Sequence, residues 1–352
     1  MIKKIVLCLI TILLSFSIMA CNGSGRRGVK YNKKPFTNPI APQSVADPFI
    51  IYDNQTQYYY GLYTEGVHLK IYRHRHVAEL FTDGEGKTIF VPDGTHGIWG
   101  DIWAPDMHKG SDGCWYVYAS GRITKEPGEK RIFGLKSLTG DPFGEWEFIG
   151  IPAPDVYSID PTVFVTDLGD TYMCYSRVDP VYGQVLDITK MINPSRCGAA
   201  YTIARAELDW EAVAPHTGSN AILEGGFFVE NKGRLFLIYS ANGCFSKYYA
   251  LGVLEYIGGD PCLAQSWKKH PKPLLTFGNG VYGPGHASFF RSPDGTELWC
   301  AYHGMDNANS DMLPDYRYCH LQRVKFDKTG YPVMGKPIGV DRLITPPSGE
   351  KE

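Results

Sequence analysis

Charge is scarce in this chain. Aspartate, glutamate, lysine and arginine make up 20% of its 352 residues, and the formal net charge is −2 at pH 7. That balance leaves no electrostatic footprint for nucleic acid or for an anionic membrane surface. No CxxC pair occurs among the nine cysteines, which argues against zinc ribbons and thioredoxin-type redox motifs. There is no dinucleotide glycine fingerprint and no P-loop; Gly283-Pro284-Gly285 is turn chemistry. Long amphipathic segments of period 3.6 are missing too. Ala199–Val213 comes nearest, and Tyr201-Thr202-Ile203 works against it. Aromatic and turn residues, by contrast, are plentiful: 23 Tyr, 17 Phe and 7 Trp beside 39 Gly and 24 Pro. Such a chain is too apolar for disorder and too rich in turn formers for a helical bundle, so an all-β fold is expected.

The one long apolar run, Ile5–Met19, follows Lys3 and Lys4. It is too short to span a bilayer comfortably and has the form of an export signal, so residues 1–20 read as a signal peptide. Ile18-Met19-Ala20-Cys21 resembles a bacterial lipobox, which makes Cys21 the expected lipidation site and residues 21–43 a lipid-anchored tether and lead-in. The expected location is the bacterial cell envelope, at the outer membrane, with the lipid anchor as the only membrane contact. Setting aside Cys8 and Cys21 leaves an odd number of cysteines, so a monomer keeps a free thiol. Cys174 and Cys300 lie in strand-like runs and read as small core hydrophobes.

A turn followed by an aromatic-rich strand recurs five times, at Gln55–Gly66, Asp112–Gly121, Leu168–Asp179, Asn231–Gly243 and Asp294–Asp306. Aligned on Tyr63, Tyr118, Tyr175, Tyr239 and Tyr302, the copies lie 55, 57, 64 and 63 residues apart. Units of about 60 residues holding several short strands match one propeller blade of four strands. The sequence therefore predicts a five-bladed β-propeller over residues 44–345, with residues 346–352 as a tail. Five evenly spaced copies argue against two stacked sandwiches.

About fifteen residues upstream of those tyrosines stand Asp47, Trp103, Asp160, Glu224 and His286. Pseudo-symmetry would gather equivalent positions round the central axis, at one mouth of the channel. Taken singly, Asp before Pro is a common turn device and Glu224 before Gly225-Gly226 reads as a loop acid. Recurrence within a repeat favours a site. Acids buried close together push at least one carboxyl upward while another stays ionised, which is the division of labour that glycoside hydrolysis requires.

ADPF at 46–49, IWAPDMH at 102–108, SIDPTVF at 158–164, EGGFFVENKGRLFLIYSANG at 224–243 and GPGHASFF at 283–290 together resemble glycoside hydrolase family 43. The resemblance implies a five-bladed propeller acting with inversion on arabinose- or xylose-containing oligosaccharides or polysaccharides, with no organic cofactor. It implies Asp47 as general base, Glu224 as general acid and Asp160 as the carboxylate that raises and orients the acid. An inverting pair needs roughly 6.5–9.5 Å between acid and base. Trp103 would offer an indole face to a sugar ring, or else serve as a core aromatic.

His286 resembles a family histidine near the axis that helps hold a calcium ion or a water cluster. Neutral imidazole is a poor calcium partner, so most ligands there would be waters, and plain hydrogen bonding is the alternative. Arg317, in DYRYCHLQRV, resembles a family arginine reaching the sugar or the acids; its alternative is a surface strand charge. The expected activity is exo-acting release of terminal α-L-arabinofuranose. A β-xylosidase, an endo-arabinanase and a non-catalytic envelope sugar-binding propeller remain alternatives. The choice between sugars lies in loops such as Asp93–Gly100 and Asp306–Pro314.

Overall fold

The computed structural model describes residues 30–153, 156–213, 221–306 and 316–352. Cys21 and the expected signal and tether up to residue 29 lie outside the described residues, as do residues 307–314 of the second expected wall loop.

Among the described residues, strands fall into five antiparallel sheets, each built from four consecutive segments. Blade 1 holds β1 (Ala46–Asp53), β2 (Tyr58–Thr64), β3 (Leu69–His74) and β4 (Glu85–Phe90). Blade 2 holds β5 (Gly100–Lys109), β6 (Trp115–Arg122), β7 (Lys130–Ser137) and β8 (Trp146–Gly150). Blade 3 holds β9 (Ser158–Val165), β10 (Thr171–Asp179), β11 (Gly183–Asn193) and β12 (Arg196–Ala204). Blade 4 holds β13 (Leu223–Asn231), β14 (Arg234–Ala241), β15 (Ala250–Tyr256) and β16 (Trp267–Lys269). Blade 5 holds β17 (Tyr282–Arg291), β18 (Leu298–Met305), β19 (Tyr318–Phe326) and β20 (Pro332–Val333). The first strands β1, β5, β9, β13 and β17 lean on one another in that order, and β17 returns to β1. This is a five-bladed β-propeller. The weak helical pattern at Ala199–Val213 resolves into the end of β12 and a single 3₁₀ turn, Asp209–Glu211.

Each blade buries both faces against its neighbours, so its middle strands read as continuous apolar runs rather than as alternation. Leu298, Cys300 and Tyr302 of β18 face the cluster shared with blade 4, while Trp299 and Ala301 face the cluster shared with blade 1. All seven cysteines among the described residues are free, and Cys174 and Cys300 are fully buried in these clusters.

All five first strands carry the same β-bulge. Ala46 opposes Thr64 and Phe49 opposes Leu62, so Asp47-Pro48 stands against Tyr63 alone. In the same way Ala104-Pro105 faces Ala119, Asp160-Pro161 faces Tyr175, Gly225-Gly226 faces Tyr239, and His286-Ala287 faces Tyr302. The first bulge residue takes a positive φ every time: 53°, 45°, 57°, 56° and 47°. For the four that are not glycine this costs about 1–2 kcal/mol each, strain of the kind that accumulates at functional sites.

Two expectations about the ends need correction. Residues 31–43, expected as part of the tether and lead-in, form a strap along β19. Ile40 N–H donates to Cys319 O at 3.0 Å, Val45 N–H donates to Arg317 O at 2.8 Å, and the Asn38 side chain bonds both backbone groups of Leu321. Residues 346–352 do not trail off either. Asn32 N–H donates to Glu350 O, and the buried Glu350 carboxylate accepts Val77 N–H at 3.2 Å. The physical reason is the ring itself: the chain crosses every other joint between blades but not the one between blades 5 and 1, and the terminal segments pack along that seam.

Candidate active site

The bulges set the site. A residue held at positive φ at the start of a first strand turns its side chain from the sheet toward the axis, and three such residues are Asp47, Asp160 and His286. Trp103 and Glu224 are not their positional equivalents, contrary to the sequence alignment. Each stands one residue earlier, before bulges that begin at Ala104 and Gly225. The slip in blade 2 arises because its copy of the aligning tyrosine is Ala119, with Tyr118 one residue off.

Three of the bulge amides share one support. Ala104 N–H donates to Thr64 Oγ1 (2.8 Å), Asp160 N–H to Ser120 Oγ (3.0 Å) and His286 N–H to Ser240 Oγ (2.8 Å), in each case from the preceding blade's second strand. In blade 1 the acceptor is His303 Nδ1, 3.2 Å from Asp47 N. Burial pulls the His303 imidazole down to about 4, so it is neutral at pH 7. In blade 4 the bulge amide, Gly225 N–H, instead donates to Asp160 Oδ2 at 3.1 Å.

Asp47 is surrounded by donors and positive charge. Arg317 Nη1 lies 3.0 Å from Oδ1, His286 Nδ1 lies 3.3 Å from Oδ1, and Thr64 Oγ1 donates to Oδ2 at 2.6 Å. Burial pushes the Asp47 carboxyl up, but Arg317 and then His286 outweigh it and hold the carboxyl well below the usual range. Arg317 is therefore no surface charge; it is buried at the foot of β19 with its guanidinium over the Phe245 ring.

Asp160 and Glu224 sit in the opposite surroundings. Burial pushes Asp160 up, and the neighbouring Glu224 and Asp47 charges add to that against His286, leaving it at about 7. Burial likewise raises Glu224, opposed by His286 and by hydrogen bonds from Tyr249 OH (2.9 Å) and Gln184 Nε2 (3.1 Å). Together the two carboxyls retain a proton near neutrality. His286 spans the two halves: burial lowers it, but the three carboxylates outweigh burial and raise it, favouring the imidazolium.

Asp160, Glu224 and His286 each bring one potential ligand atom within 4.8 Å of the others. Calcium, however, takes six to eight oxygens. Two carboxylates and an imidazole supply only part of that set and water would have to supply the rest, while both carboxylates already accept hydrogen bonds, from Gly225 and from Tyr249 and Gln184. The contacts of His286 are those of a charge-balancing, hydrogen-bonding residue.

Around the pit, Trp103 is half-buried, and Lys130 Nζ lies 3.8 Å from its ring centroid, so an ammonium covers one face. Lys130 and Arg122 both pair with Asp101, at 3.2 and 3.3 Å. Tyr157 belongs to the same wall: burial and the Asp160 and Glu224 charges push its phenol up to about 12. Of the first expected wall loop, Trp99 is exposed, and its ring covers Gly94 so closely that a Cβ there would lie 2.5 Å from it. A wider groove of about 750 Å³ opens between blades 2 and 3 around Asp112, Phe148 and Asn193. There hydrogen bonds and Lys136 overcome burial and pull Asp112 down to about 2, so it offers no proton-holding carboxyl.

Sequence reasoning missed Thr64, His303, Tyr249 and Gln184. Thr64 and His303 had a signal: each directly follows an aligning tyrosine, as do Ser176 and Ser240. Tyr249 and Gln184 had none, because they reach Glu224 from a loop and from an outer strand.

Residues 36–332 match the profile of glycosyl hydrolases family 43. The chain is 30% identical over 315 residues to an extracellular exo-α-(1→5)-L-arabinofuranosidase of Streptomyces avermitilis, covering 86% of this chain and 64% of that protein. It is 31% identical over 280 residues to the enzyme of the same name from Streptomyces chartreusis, covering 76% and 82%. Among solved structures, an α-L-arabinofuranosidase from Lactobacillus brevis superposes with a TM-score of 0.77 at 26% identity, covering 87% of this chain and 98% of that one. With the propeller, the buried carboxylates and a match over most of its length, the chain belongs to glycosyl hydrolases family 43.

Proposed function

We propose that the protein removes terminal α-L-arabinofuranosyl units from arabinose-containing oligosaccharides or polysaccharides by single displacement with inversion. One observation carries the reading: around one pit, Asp47 is held ionised while the Asp160–Glu224 pair keeps a proton. The names of the two Streptomyces relatives supply the sugar and the exo mode.

In this mechanism a water between Asp47 and the anomeric carbon gives its proton to Asp47 as its oxygen attacks. Glu224 donates its proton to the glycosidic oxygen as the C–O bond breaks, so the leaving group departs as an alcohol. Asp160 holds Glu224 protonated before the step. Arg317 and His286 balance the charge of Asp47. The half-buried Trp103 indole meets the sugar ring. Exchange with solvent then returns Asp47 to its anion and Glu224 to its acid.

The test is 4-nitrophenol release from the α-L-arabinofuranoside and the β-D-xyloside, with Asp47→Asn alongside and the product anomer followed by NMR. Arabinoside turnover giving the β-anomer first, and lost in the variant, supports the reading. Preference for the xyloside makes the protein a β-xylosidase. Sugar binding without turnover of arabino-oligosaccharides makes it a binding protein. We also propose an envelope location through lipidated Cys21, supported by the lipobox resemblance; Cys21→Ala would then move the protein from the membrane fraction to the soluble one.

A further inference from the structure

Blade 1 carries a second cluster of ligating side chains. β3 starts beside the mouth and runs away from it, so its last residue, His74, lies at the far end of the blade. The chain then turns through His76 into the 3₁₀ turn Val77–Glu79. Arg75, between the histidines, lies over the Tyr58 ring, 4.4 Å from its centroid.

His74, His76 and Glu79 each offer one ligand atom, all within 4.8 Å of one another. His76 Nδ1 is 3.2 Å and His74 Nε2 is 3.8 Å from Glu79 Oε2. A tetrahedral zinc ion with bonds of about 2.0–2.2 Å holds its ligand atoms roughly 3.4 Å apart, so little contraction is needed.

The outer contacts are those of metal-binding histidines, whose second ring nitrogen characteristically donates to a backbone carbonyl or a carboxylate. His76 Nε2 lies 3.0 Å from Lys351 O, and His74 Nδ1 lies 3.0 Å from His76 O. Donation to these carbonyls leaves His76 Nδ1 and His74 Nε2 as lone pairs facing the carboxylate. His74 Nδ1 can instead accept His76 N–H at 3.1 Å, so metal binding selects the tautomer that carries the proton on Nδ1. Lys34, itself largely exposed, pairs with the other oxygen, Glu79 Oε1, at 3.4 Å. The three side chains are each a quarter to a third exposed, which leaves a route for the ion and an outer position for water.

We propose that His74, His76 and Glu79 bind one divalent transition-metal ion of the zinc class. Two imidazoles and a carboxylate suit zinc and its borderline neighbours rather than calcium or magnesium. Because His76 also holds Lys351 O, the ion ties the C-terminal segment to blade 1 at the seam of the ring, and its role is structural. The cluster lies at the opposite end of the blade from Asp47, so the glycosidase reading does not depend on it.

The experiment is titration of Zn2+ into untagged, chelator-stripped full-length protein, read by calorimetry, thermal unfolding and arabinoside turnover. The expected result is one zinc per chain, a raised Tm and unchanged turnover. His74→Ala and Glu79→Gln, both at partly exposed positions, should weaken binding by about 100-fold or more and abolish the Tm rise. The proposal is overturned if wild type binds no zinc, or if both variants bind it as wild type does. Zinc that inhibits turnover equally in wild type and variants would place the ion at Asp160–Glu224–His286 and would also overturn it.

Discussion

Asp47 and Asp160 occupy equivalent bulges, each precedes a proline, and their φ angles are 53° and 57°. Both are almost fully buried. Yet one is held far below the ordinary carboxylate range and the other is lifted to about 7. The difference lies in the neighbouring blades. Blade 5 brings Arg317 and His303 to Asp47, whereas blade 4 brings another acid, Glu224, to Asp160. Identical backbone devices thus become base and proton reservoir according to what the next blade presents.

The largest effect comes from removing the ionised side. Asp47→Asn is expected to lower kcat/KM by about 10⁴-fold on aryl and natural substrates alike. Glu224→Gln should cost about 10³-fold on arabino-oligosaccharides but far less on 4-nitrophenyl arabinoside, whose leaving group needs little protonation. Equal losses on both substrates would remove Glu224 as the acid. Rates measured on the two substrates in parallel decide this.

Arg317→Gln attacks the contrast itself. Without the guanidinium, Asp47 loses its strongest counter-charge and titrates higher, so the acidic limb of the pH–rate profile should move up by about one unit. The alkaline limb, where activity falls as pH rises through about 7, should keep its place because the Asp160–Glu224 pair sets it.

Asp160→Asn tests the stability cost. A carboxyl raised from 3.8 to about 7 contributes stability below about pH 4 that is lost as pH rises through 7. Wild type should therefore unfold at lower temperature at pH 8 than at pH 5. The variant should regain a few degrees of Tm at pH 8 while losing activity. Tyr249→Phe should do least, perturbing kcat by less than about tenfold with KM unchanged. It removes a bond that favours ionised Glu224, so the alkaline limb should shift slightly upward.

The five blades and the acids were legible because each blade repeats one turn-and-strand pattern and each acid opens an apolar strand. The bulges were not legible. A two-for-one register shift leaves no mark on hydrophobic periodicity; the Tyr118–Ala119 slip hid that Trp103 precedes its bulge, and a blade 4 hairpin one residue shorter than that of blade 3 hid the same for Glu224. Lys130 over Trp103 was also hidden, since it comes from β7, two strands out from the axis. The terminal strap was misread because its bonds run to β19, up to 283 residues away in sequence, and its polar composition looks like that of a linker.

That strap has a consequence for how the molecule comes apart. Every blade is contiguous in the chain, so four of the five interblade joints have the chain running straight across them. The joint between blades 5 and 1 has no chain crossing it and is held by non-covalent contacts alone, those between the two blades and those of the terminal strap. It is the natural first opening among cooperative units of unequal stability. Asp47 lies on one side of this joint, with Arg317 and His303 on the other, so a brief parting strips the base of its partners while four blades stay folded. Heat should silence the enzyme before it melts it, and amide exchange should be fastest along Ile40, Val45 and Leu321.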